Sequence, residues 1–349
     1  MDEAVSVNNA RPILLHQSRV QEDMMAALHQ LHVQLPISGR GNAEITLVNW
    51  GSRNQQTDVQ WQHLALGDAM TISFYEEAEV VFNGEITAIE ERYGSGTPML
   101  ILLVEDSMHR LAKSRQSRVF EEMSPNDMIE SIASAQGLQT DVSVSSSPGD
   151  WNQINETDYN FMQRIISRWD LSARIVDGNT LRIKPEQADA EPFQVSPQSN
   201  ALEIRIIADL NHQVQMSGIR GWNFDSGEQI EDESSSLQPA AQNTTAAAVL
   251  QNLNWSEQEW LSHPHPRNQQ EAREWATAAF QKQARQFLHG DILLQGSPGL
   301  KPGREIELDA VSNRITGRYR IVHLTHRFDT EAGFVSHIRV ERPCWNQST

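Results

Sequence analysis

Hydrophobic and polar positions alternate in two separate parts of the chain, and this pattern predicts β-strands in both. In the first part, Val80, Phe82, Ile86 and Ala88 keep a period of two through Gly84. This predicts one long strand with a bulge or a close backbone approach at the glycine. The first part as a whole is typical of a small antiparallel barrel or sandwich, with strands at 45–50, 69–75, 80–91 and 99–106. The second part has strand-like segments at 201–209, 212–224, 291–296, 304–310, 319–328 and 334–341.

A helical period replaces the alternation between these two parts. Residues 124–138 predict a helix that begins after Ser124 as N-cap, with Pro125 in the first turn and Gly137 at the end. A second helix follows Asn155 or Thr157, either of which can cap it. Its apolar stripe consists of Met162, Ile165, Ile166 and Trp169. An Asp-Gly-Asn turn at 177–179 then predicts a hairpin, so this block is α+β.

Two further segments carry other patterns. Residues 225–248 are acidic, rich in Ser and poor in large apolar residues, which predicts a mobile loop. A long amphipathic helix follows it, with Gly290 as its stop and one apolar face formed by Ala272, Trp275, Ala276, Ala279, Phe280 and Phe287. Residues 21–33 have a helical spacing at Met24, Leu28 and Leu31 but fit an irregular connection equally well.

Composition and charge exclude several classes of function. The 349 residues carry a net charge of −18, which disfavours a sequence-independent grip on DNA phosphates or anionic membranes. The single Cys344 excludes internal disulfides and multi-cysteine metal sites. We find no membrane span and no signal-peptide core, so we expect synthesis in the bacterial cytoplasm.

Catalytic motifs are absent from the sequence, so we predict no catalytic residues, no metal site and no cofactor. His263 and His265 lie between prolines in what reads as a solvated loop. His323 and His326 lie three apart on a predicted strand, where their side chains face opposite sides. A general acid–base pair among the many carboxylates stays open, as does a carbohydrate platform of tryptophans. Trp169, Trp222 and Trp275 fall on predicted core faces.

One stretch closely resembles a family signature. Residues 153–164 resemble the pattern Q-x-N-E-S-D-aromatic-x-F-x-x-R of the phage late control gene D family, with Thr157 in place of Ser. Members of that family are contractile-tail baseplate hubs, and they include the hub portion of VgrG in type VI secretion. The resemblance extends over most of 45–342, while the first 40 residues match poorly and a spike domain is missing. The matching positions are Gln153, Asn155, Glu156, Asp158, Phe161, Arg164, Gly84, Gly303, Tyr319 and His326.

The resemblance implies an α+β fold with two similar antiparallel β-barrel domains, an α+β domain between them and a helical insertion in the second barrel. Three chains would form a homotrimeric ring of pseudo-sixfold symmetry that adapts a hexameric tail tube to a trimeric spike. The implied partners are the tube ring, a separate trimeric spike protein and other baseplate proteins, with nucleic acid or cargo passing through the channel without specific binding. The mature protein would reside in a virion tail or a released injection particle, and its signature residues would be structural.

The corresponding domain boundaries are 1–110 for the first barrel and 111–195 for the α+β domain. Residues 196–224 with 290–349 would form the second barrel, and 225–289 the mobile loop and helical insertion. The alternatives are a type VI-like tip, a tail-associated cell-wall hydrolase and a carbohydrate-binding module. No residue is assigned to an interface from the sequence.

Overall fold

The computed structural model describes residues 11–53, 56–74, 80–144, 146–188, 191–223, 226–237 and 243–346. The helices in these ranges are α1 Glu22–Ala27, α2 Pro125–Ala135, α3 Asp158–Ile166, α4 Ala246–Asn252 and α5 Gln269–Arg285, with a 3-10 helix at Ser107–Ala112. The first strands are β1 Pro12–His16, β2 Arg19–Val20, β3 Leu28–Pro36, β4 Asn42–Val48, β5 Gly51–Arg53, β6 Gln56–Asp58, β7 Ala69–Phe74, β8 Val80–Arg92 and β9 Met99–Glu105. The middle strands are β10 Arg115–Met123, β11 Gln139–Val142, β12 Gly149–Thr157, β13 Ser172–Val176, β14 Thr180–Lys184 and β15 Phe193–Val195. The last strands are β16 Ala201–Ala208, β17 Met216–Asn223, β18 Glu228–Ser234, β19 Thr244–Thr245, β20 Gln258–Leu261, β21 Leu288–Gln295, β22 Glu305–Leu308, β23 Gly317–Asp329, β24 Gly333–Arg342 and β25 Cys344–Trp345.

The fold is mostly antiparallel β with few helices, as the sequence predicts. Strands from both predicted barrels lie in one large sheet, in the order β16-β21-β24-β23-β3-β4-β9-β8-β7-β1-β2, with β22 on β23 and β15 on β22. We call β1–β9 the first module, and β15, β16 and β21–β24 the second module. Among the described residues this hydrogen-bonded path does not return on itself, so closure of either module into a barrel stays a prediction.

Gly84 lies inside one uninterrupted strand, β8, as its alternating pattern predicts. A Cβ atom built on Gly84 would overlap the carbonyl oxygen of Glu105 on the neighbouring strand β9. The glycine therefore permits a close backbone approach.

The segment 21–33 is only partly helical, because α1 ends at Ala27 and β3 begins at Leu28. The helix-like spacing of Leu28 and Leu31 arises within a strand. A register shift between Leu28 and Gln30 turns both leucines toward the core, where each is buried.

The predicted α+β block is present. Ser124 Oγ accepts a hydrogen bond from the Asp127 N–H at the start of α2, and Gly137 follows the helix with a φ of +73°. Thr157, one of the two predicted caps, accepts from the Asn160 N–H at the start of α3. The hairpin β13–β14 turns at 177–179 as predicted.

The prediction of a mobile loop over 225–248 is wrong for 244–248, which form β19 and the start of α4, and for 228–234. This segment is β18, which pairs with β17 along its length, and Ile230 is buried. Helix α5 packs against both strands, so a single apolar residue with a helix behind it is enough to hold an otherwise polar strand. Residues 224–225 and 238–242 lie outside the described ranges.

Three other expectations for this region also need correction. Strand β17 pairs with β18 and β20 instead of the main sheet, so 216–223 belongs to the insertion and only β16 joins the second module. Gly290 is no helix stop, because α5 ends at Arg285 and Gly290 lies in β21. Trp222 is 51% exposed, since Ser217 and Ile219 occupy the buried face of β17 and Trp222 lies on the other.

The insertion and the α+β block share one hydrophobic core. Trp275 of α5 meets Trp169 edge to face at 5.6 Å, and Trp169 Nε1 donates to Glu274 at 2.9 Å. Arg285 pairs with Asp170, and Lys282 Nζ donates to the Ser167 carbonyl. These contacts attach the insertion to the α+β block.

Candidate functional site

The signature stretch forms a buried polar network. Gln153 is 1% exposed; its Oε1 accepts from Arg118 Nε at 2.8 Å and its Nε2 donates to Asp158 Oδ1 at 2.9 Å. Arg118 also pairs with Asp158, whose carboxylate lies at the N-terminus of α3. The network therefore ties β10, β12 and α3 together through three side chains.

Three signature residues, Asn155, Glu156 and Arg164, lie at the surface of the same unit. Glu156 accepts from Arg164 Nε, and Arg164 Nη2 donates to the Asn152 carbonyl at 2.8 Å. Asn155 adopts a φ of +48°, a left-handed conformation that Asn tolerates better than most residues. Its backbone is bound twice by residues of β10, because its N–H donates to Ser117 Oγ and its carbonyl accepts from Arg115.

Phe161 is the apolar centre of the signature. It is fully buried and stacks on Phe120 with ring centroids 5.7 Å apart. The Arg164 guanidinium lies 5.2 Å from the Phe161 ring, and that of Arg118 lies 5.0 Å from Phe120. The geometry of the signature is that of a packed structural element.

The junction between the two modules is a continuous piece of sheet. Strands β3 and β23 pair antiparallel from Pro36 opposite His323 to Gln30 opposite Asp329. Phe334 of β24 stacks on Phe74 of β7 with centroids 3.7 Å apart, so a second-module residue completes the first module's core. Backbone and side-chain contacts together make the joint rigid.

His326 sits beside this joint and is fully buried. Its Nδ1 lies 2.9 Å from Ser336 Oγ, while its Nε2 has no hydrogen-bond partner among the described residues. Phe74 and Phe334 flank the ring at 6.2 and 5.5 Å. Burial lowers the pKa of His326 to about 3, so the imidazole is neutral at physiological pH.

A second polar cluster joins the α+β hairpin to the second module. Glu186 pairs with Arg174 and Arg182, and a Cβ on Gly303 would overlap the Glu186 carboxylate. Burial alone would raise the pKa of Glu186, but the hydrogen bonds and charges of Arg174, Ser172 and Arg182 lower it on balance. Gly303 has a φ of +85° and donates its N–H to the Ile321 carbonyl, so both its conformation and its space require glycine.

Tyr319 anchors the start of β23. It is 1% exposed, and its hydroxyl donates to the Ile315 carbonyl at 2.7 Å. Burial raises its pKa to about 12 against the opposing effect of Arg342, which keeps the phenol protonated as a donor.

The sequence-predicted residues thus divide into separate groups. Gln153, Asn155, Glu156, Asp158, Phe161 and Arg164 come together, whereas Gly84, Gly303, Tyr319 and His326 support the two modules elsewhere. Sequence reasoning missed Arg118 and Glu186. Glu186 follows the second strand of the predicted hairpin, and Arg118 lies in a segment for which the sequence predicts no element. Neither position carries a sequence signal of a buried ion pair.

In the described part of the chain, no three His, Cys, Asp or Glu residues are grouped so that they could hold a metal ion. The His263 and His265 rings are 4.7 Å apart without a third ligand of that kind among the described residues. None of the helices in the described ranges combines the length and hydropathy of a membrane span.

The face of the main sheet that points away from the core carries charged residues together with apolar ones such as Val335 and Leu103. One cross-strand row runs from Arg327 through His32 to Glu44, residues that lie directly opposite one another on β23, β3 and β4. Arg339 lies on the same face of β24 and Glu90 on that of β8. This surface is continuous across both modules and carries charges of both signs.

Solved structures of similar fold are tail proteins and a secretion-system component. The 43 kDa tail protein of prophage MuSo2 from Shewanella oneidensis aligns with a TM-score of 0.72 at 11% identity, covering 96% of this chain and 98% of that chain. The tail protein from Neisseria meningitidis MC58 has a TM-score of 0.69 at 10% identity, covering 96% and 97%.

A third similar structure is the E. coli c3393 protein, a component of the type VI secretion system with structural similarity to T4 bacteriophage tail proteins gp27 and gp5. It aligns with a TM-score of 0.58 at 11% identity, covering 92% of this chain and 76% of that one. At these identities the likeness shows the fold.

Sequence comparison gives a different result from the fold comparison. No curated protein matches this chain. The family model that matches is described as the Alg8 N-terminal domain and covers residues 15–330, so the late control gene D assignment stays a proposal. The chain belongs to the Alg8 N-terminal domain family.

Proposed function

We propose that this protein is the structural hub of a contractile phage tail or a tail-like injection particle. Two observations support a tail role: the signature at 153–164 resembles that of the late control gene D hubs, and the fold is like those of tail proteins over nearly the whole chain. The work of such a hub is recognition and force transfer through interfaces, without bond chemistry.

The continuous main sheet is the observation that carries the proposal. One joint between two modules is already made inside the chain, through β3 and β23. Strand β16 ends the sheet on the side of the second module, and β1 with β2 ends it on the side of the first. A sheet end offers free backbone groups for pairing, so the end of one copy can meet the opposite end of the next.

Three copies joined in this way give a ring of six modules. Such a ring would have threefold symmetry in its chains and near-sixfold symmetry in its modules, and it could match a hexameric tube on one side and a trimeric spike on the other. The partners in this proposal are the tail tube ring, a separate trimeric spike protein and other baseplate proteins. The assembled protein would reside in the virion tail or released particle.

A second candidate is a hub in a type VI-like secretion tip. The likeness to the E. coli type VI component supports it, although that fold match is weaker than those to the tail proteins. Identification of the particle that contains the chain separates the two candidates.

The test is the number of chains in the assembled protein and its dependence on the sheet end. We expect light scattering of the full chain at micromolar concentration to report three copies. Leu202→Lys places a cation on exposed Leu202 of edge strand β16 and should give monomers, because lysine on an edge opposes strand pairing.

Leu66→Lys is the matched control, since Leu66 is also exposed but precedes β7 in a connecting segment. It should leave the trimer intact. A chain that is monomeric in solution and single in the tip of its parent particle would refute the hub proposal.

A further inference from the structure

Arg168 is a partly buried cation that lies against two tryptophan rings. It follows the C-cap of helix α3, and its guanidinium lies 5.3 Å from the ring centroid of Trp151 and 5.1 Å from that of Trp275. Both tryptophans belong to the hydrophobic core shared by the α+β block and the insertion. Cation–π contacts with two buried rings hold the guanidinium in one orientation.

The Arg168 guanidinium forms no ion pair and donates no hydrogen bond among the described residues. Its Nε is buried there without an acceptor, whereas its two terminal nitrogens reach the surface. The carbonyl groups at the end of α3 are bound by other donors, namely Ser167 Oγ, the N–H groups of Arg168 and Trp169, and Lys282 Nζ. The end of the helix therefore offers this guanidinium no free acceptor.

The charged residues around Arg168 are paired with one another. Arg267 Nε lies 3.0 Å from Glu271 Oε1, and the Arg267 N–H donates to Glu271 Oε2 at 2.8 Å. Arg164 Nε lies 3.2 Å from the Glu156 carboxylate. Arg168 is thus the cation of this group without a counter-charge in the described part of the chain.

The surroundings of Arg168 disfavour its charge. Burial, and then the charge of Arg164, lower the pKa of Arg168 to about 10; Arg267 acts in the same direction and Glu271 opposes it. The guanidinium still carries its charge at physiological pH. A partly buried charge without a partner costs free energy, and an added carboxylate would remove that cost.

We propose that Arg168 binds a carboxylate side chain from an acidic segment of a partner protein. Its two terminal nitrogens donate to the two carboxylate oxygens, a geometry that suits the planar fork of a guanidinium. Arg164 and Arg267 add positive potential around the site. The inference rests on the α+β block and α5, and it holds whether or not the chain is a hub.

The test measures binding of a fluorescently labelled hexaglutamate peptide to the full chain by fluorescence anisotropy. The net charge of −18 gives an acidic peptide no general attraction to this protein, so binding requires a local cationic site. Salt at about 0.15 M screens the distant carboxylates of the chain. We expect the labelled peptide to bind, and hexaglutamine, which has no charge, not to bind.

Two variants of Arg168 separate charge from geometry. Arg168→Gln should weaken peptide binding by about tenfold or more, because it removes the charge-assisted hydrogen bonds. Arg168→Lys should weaken it by about threefold to tenfold, because an ammonium keeps the charge but lacks the planar fork. If Arg168→Gln does not fold, the milder Arg168→Lys alone carries the test.

Arg19→Gln is the matched control, since Arg19 is an exposed arginine on β2, far along the chain from this site. It should change peptide affinity by no more than about twofold. Failure of hexaglutamate to bind the native chain would overturn the proposal, as would equal losses in the Arg168 and Arg19 variants.

The same variants distinguish other occupants of the site. Stabilisation of the native chain by sodium sulfate that is lost in Arg168→Gln, without any binding of the peptide, would assign the site to small anions and overturn the proposal. A smaller number of copies in Arg168→Gln than in the native protein would assign Arg168 to contact between copies of this chain instead.

Discussion

Asp158 of the signature interacts both with the dipole of its helix and with two side chains. An aspartate at the start of a helix stabilises the helix by interacting with its dipole. If this were its only interaction, replacement by asparagine would lower the free energy of unfolding by about 0.3–1 kcal/mol. In the structure Asp158 is also buried against Gln153 and Arg118. Since Arg118 keeps about a third of its side chain exposed, the pair is partly screened by solvent.

We expect Asp158→Asn to lower the free energy of unfolding by about 1–3 kcal/mol, because the Arg118 charge loses its partner. Urea unfolding followed by tryptophan fluorescence measures this change. The control is Glu130→Gln on the exposed side of α2, which should stay within about 0.5 kcal/mol. An equally small effect of Asp158→Asn would show that the dipole is its only role.

His326 makes stability depend on pH. Its pKa is about 3 in the folded protein, against an ordinary value of 6.5, because burial disfavours the charged ring. Between these values the unfolded chain binds a proton that the folded chain excludes. Above pH 6.5 the neutral His326 does not lower the free energy of unfolding. As the pH falls from 6.5 toward 3, the free energy of unfolding decreases by about 1.4 kcal/mol per pH unit because of this residue.

Asp106 has the opposite effect on the pH dependence of stability. Burial raises its pKa to about 7 against the backbone hydrogen bonds from Gly41 and Met108, so the folded chain holds a proton that the unfolded chain releases above pH 4. Its effect is a gain in stability as the pH falls from 7 toward 4. The change in the free energy of unfolding of the native protein with pH therefore includes the sum of the effects of His326 and Asp106.

The variant His326→Phe isolates the histidine effect. A phenyl ring suits the pocket between Phe74 and Phe334 and does not titrate. We expect the free energy of unfolding of this variant to decline less steeply than that of the native protein between pH 6 and pH 4. Parallel curves in urea unfolding across that range would contradict a buried neutral His326.

Gly84 determines how closely β8 and β9 approach each other. Gly84→Ala should cost about 1–3 kcal/mol, because the new methyl group meets the backbone of Glu105 and only movement of a whole strand relieves the overlap. Gly94→Ala is the control, as a Cβ there meets no atom within 4 Å. Thermal unfolding should separate the two variants, and equal midpoints would show that the strands are not in close contact at Gly84.

Helices and strands were predicted correctly from the sequence where a residue pattern depends only on neighbouring residues. Ser124 and Thr157 cap helices, and the alternation around Gly84 gives β8, because capping and alternation depend on local chemistry. The pattern failed for 228–234 because Ile230 is the only apolar residue of that strand that is buried, and α5, which covers it, is distant in sequence. Arg118 and Glu186 were missed for the same reason: their partners lie on other elements.

The amino-acid composition does not determine the sign of the charge on the outer face of the main sheet. The net charge of −18 favours an acidic channel wall in the proposed ring. In the structure Arg327 and Glu44 belong to one cross-strand row, with His32 between them. If this face lines the channel, mixed charge rather than repulsion would limit the sticking of passing nucleic acid or cargo.

The pairing of β3 with β23 also determines when the protein can finish folding. Gln30 and Asp329, which lie opposite each other in this joint, are separated by nearly the whole chain. During synthesis β3 must wait, with its inner edge unpaired, until β23 leaves the ribosome, and pairing over such a sequence distance is slow. Truncated translation products therefore lack the central joint, and only chains completed through β23 can supply subunits for assembly.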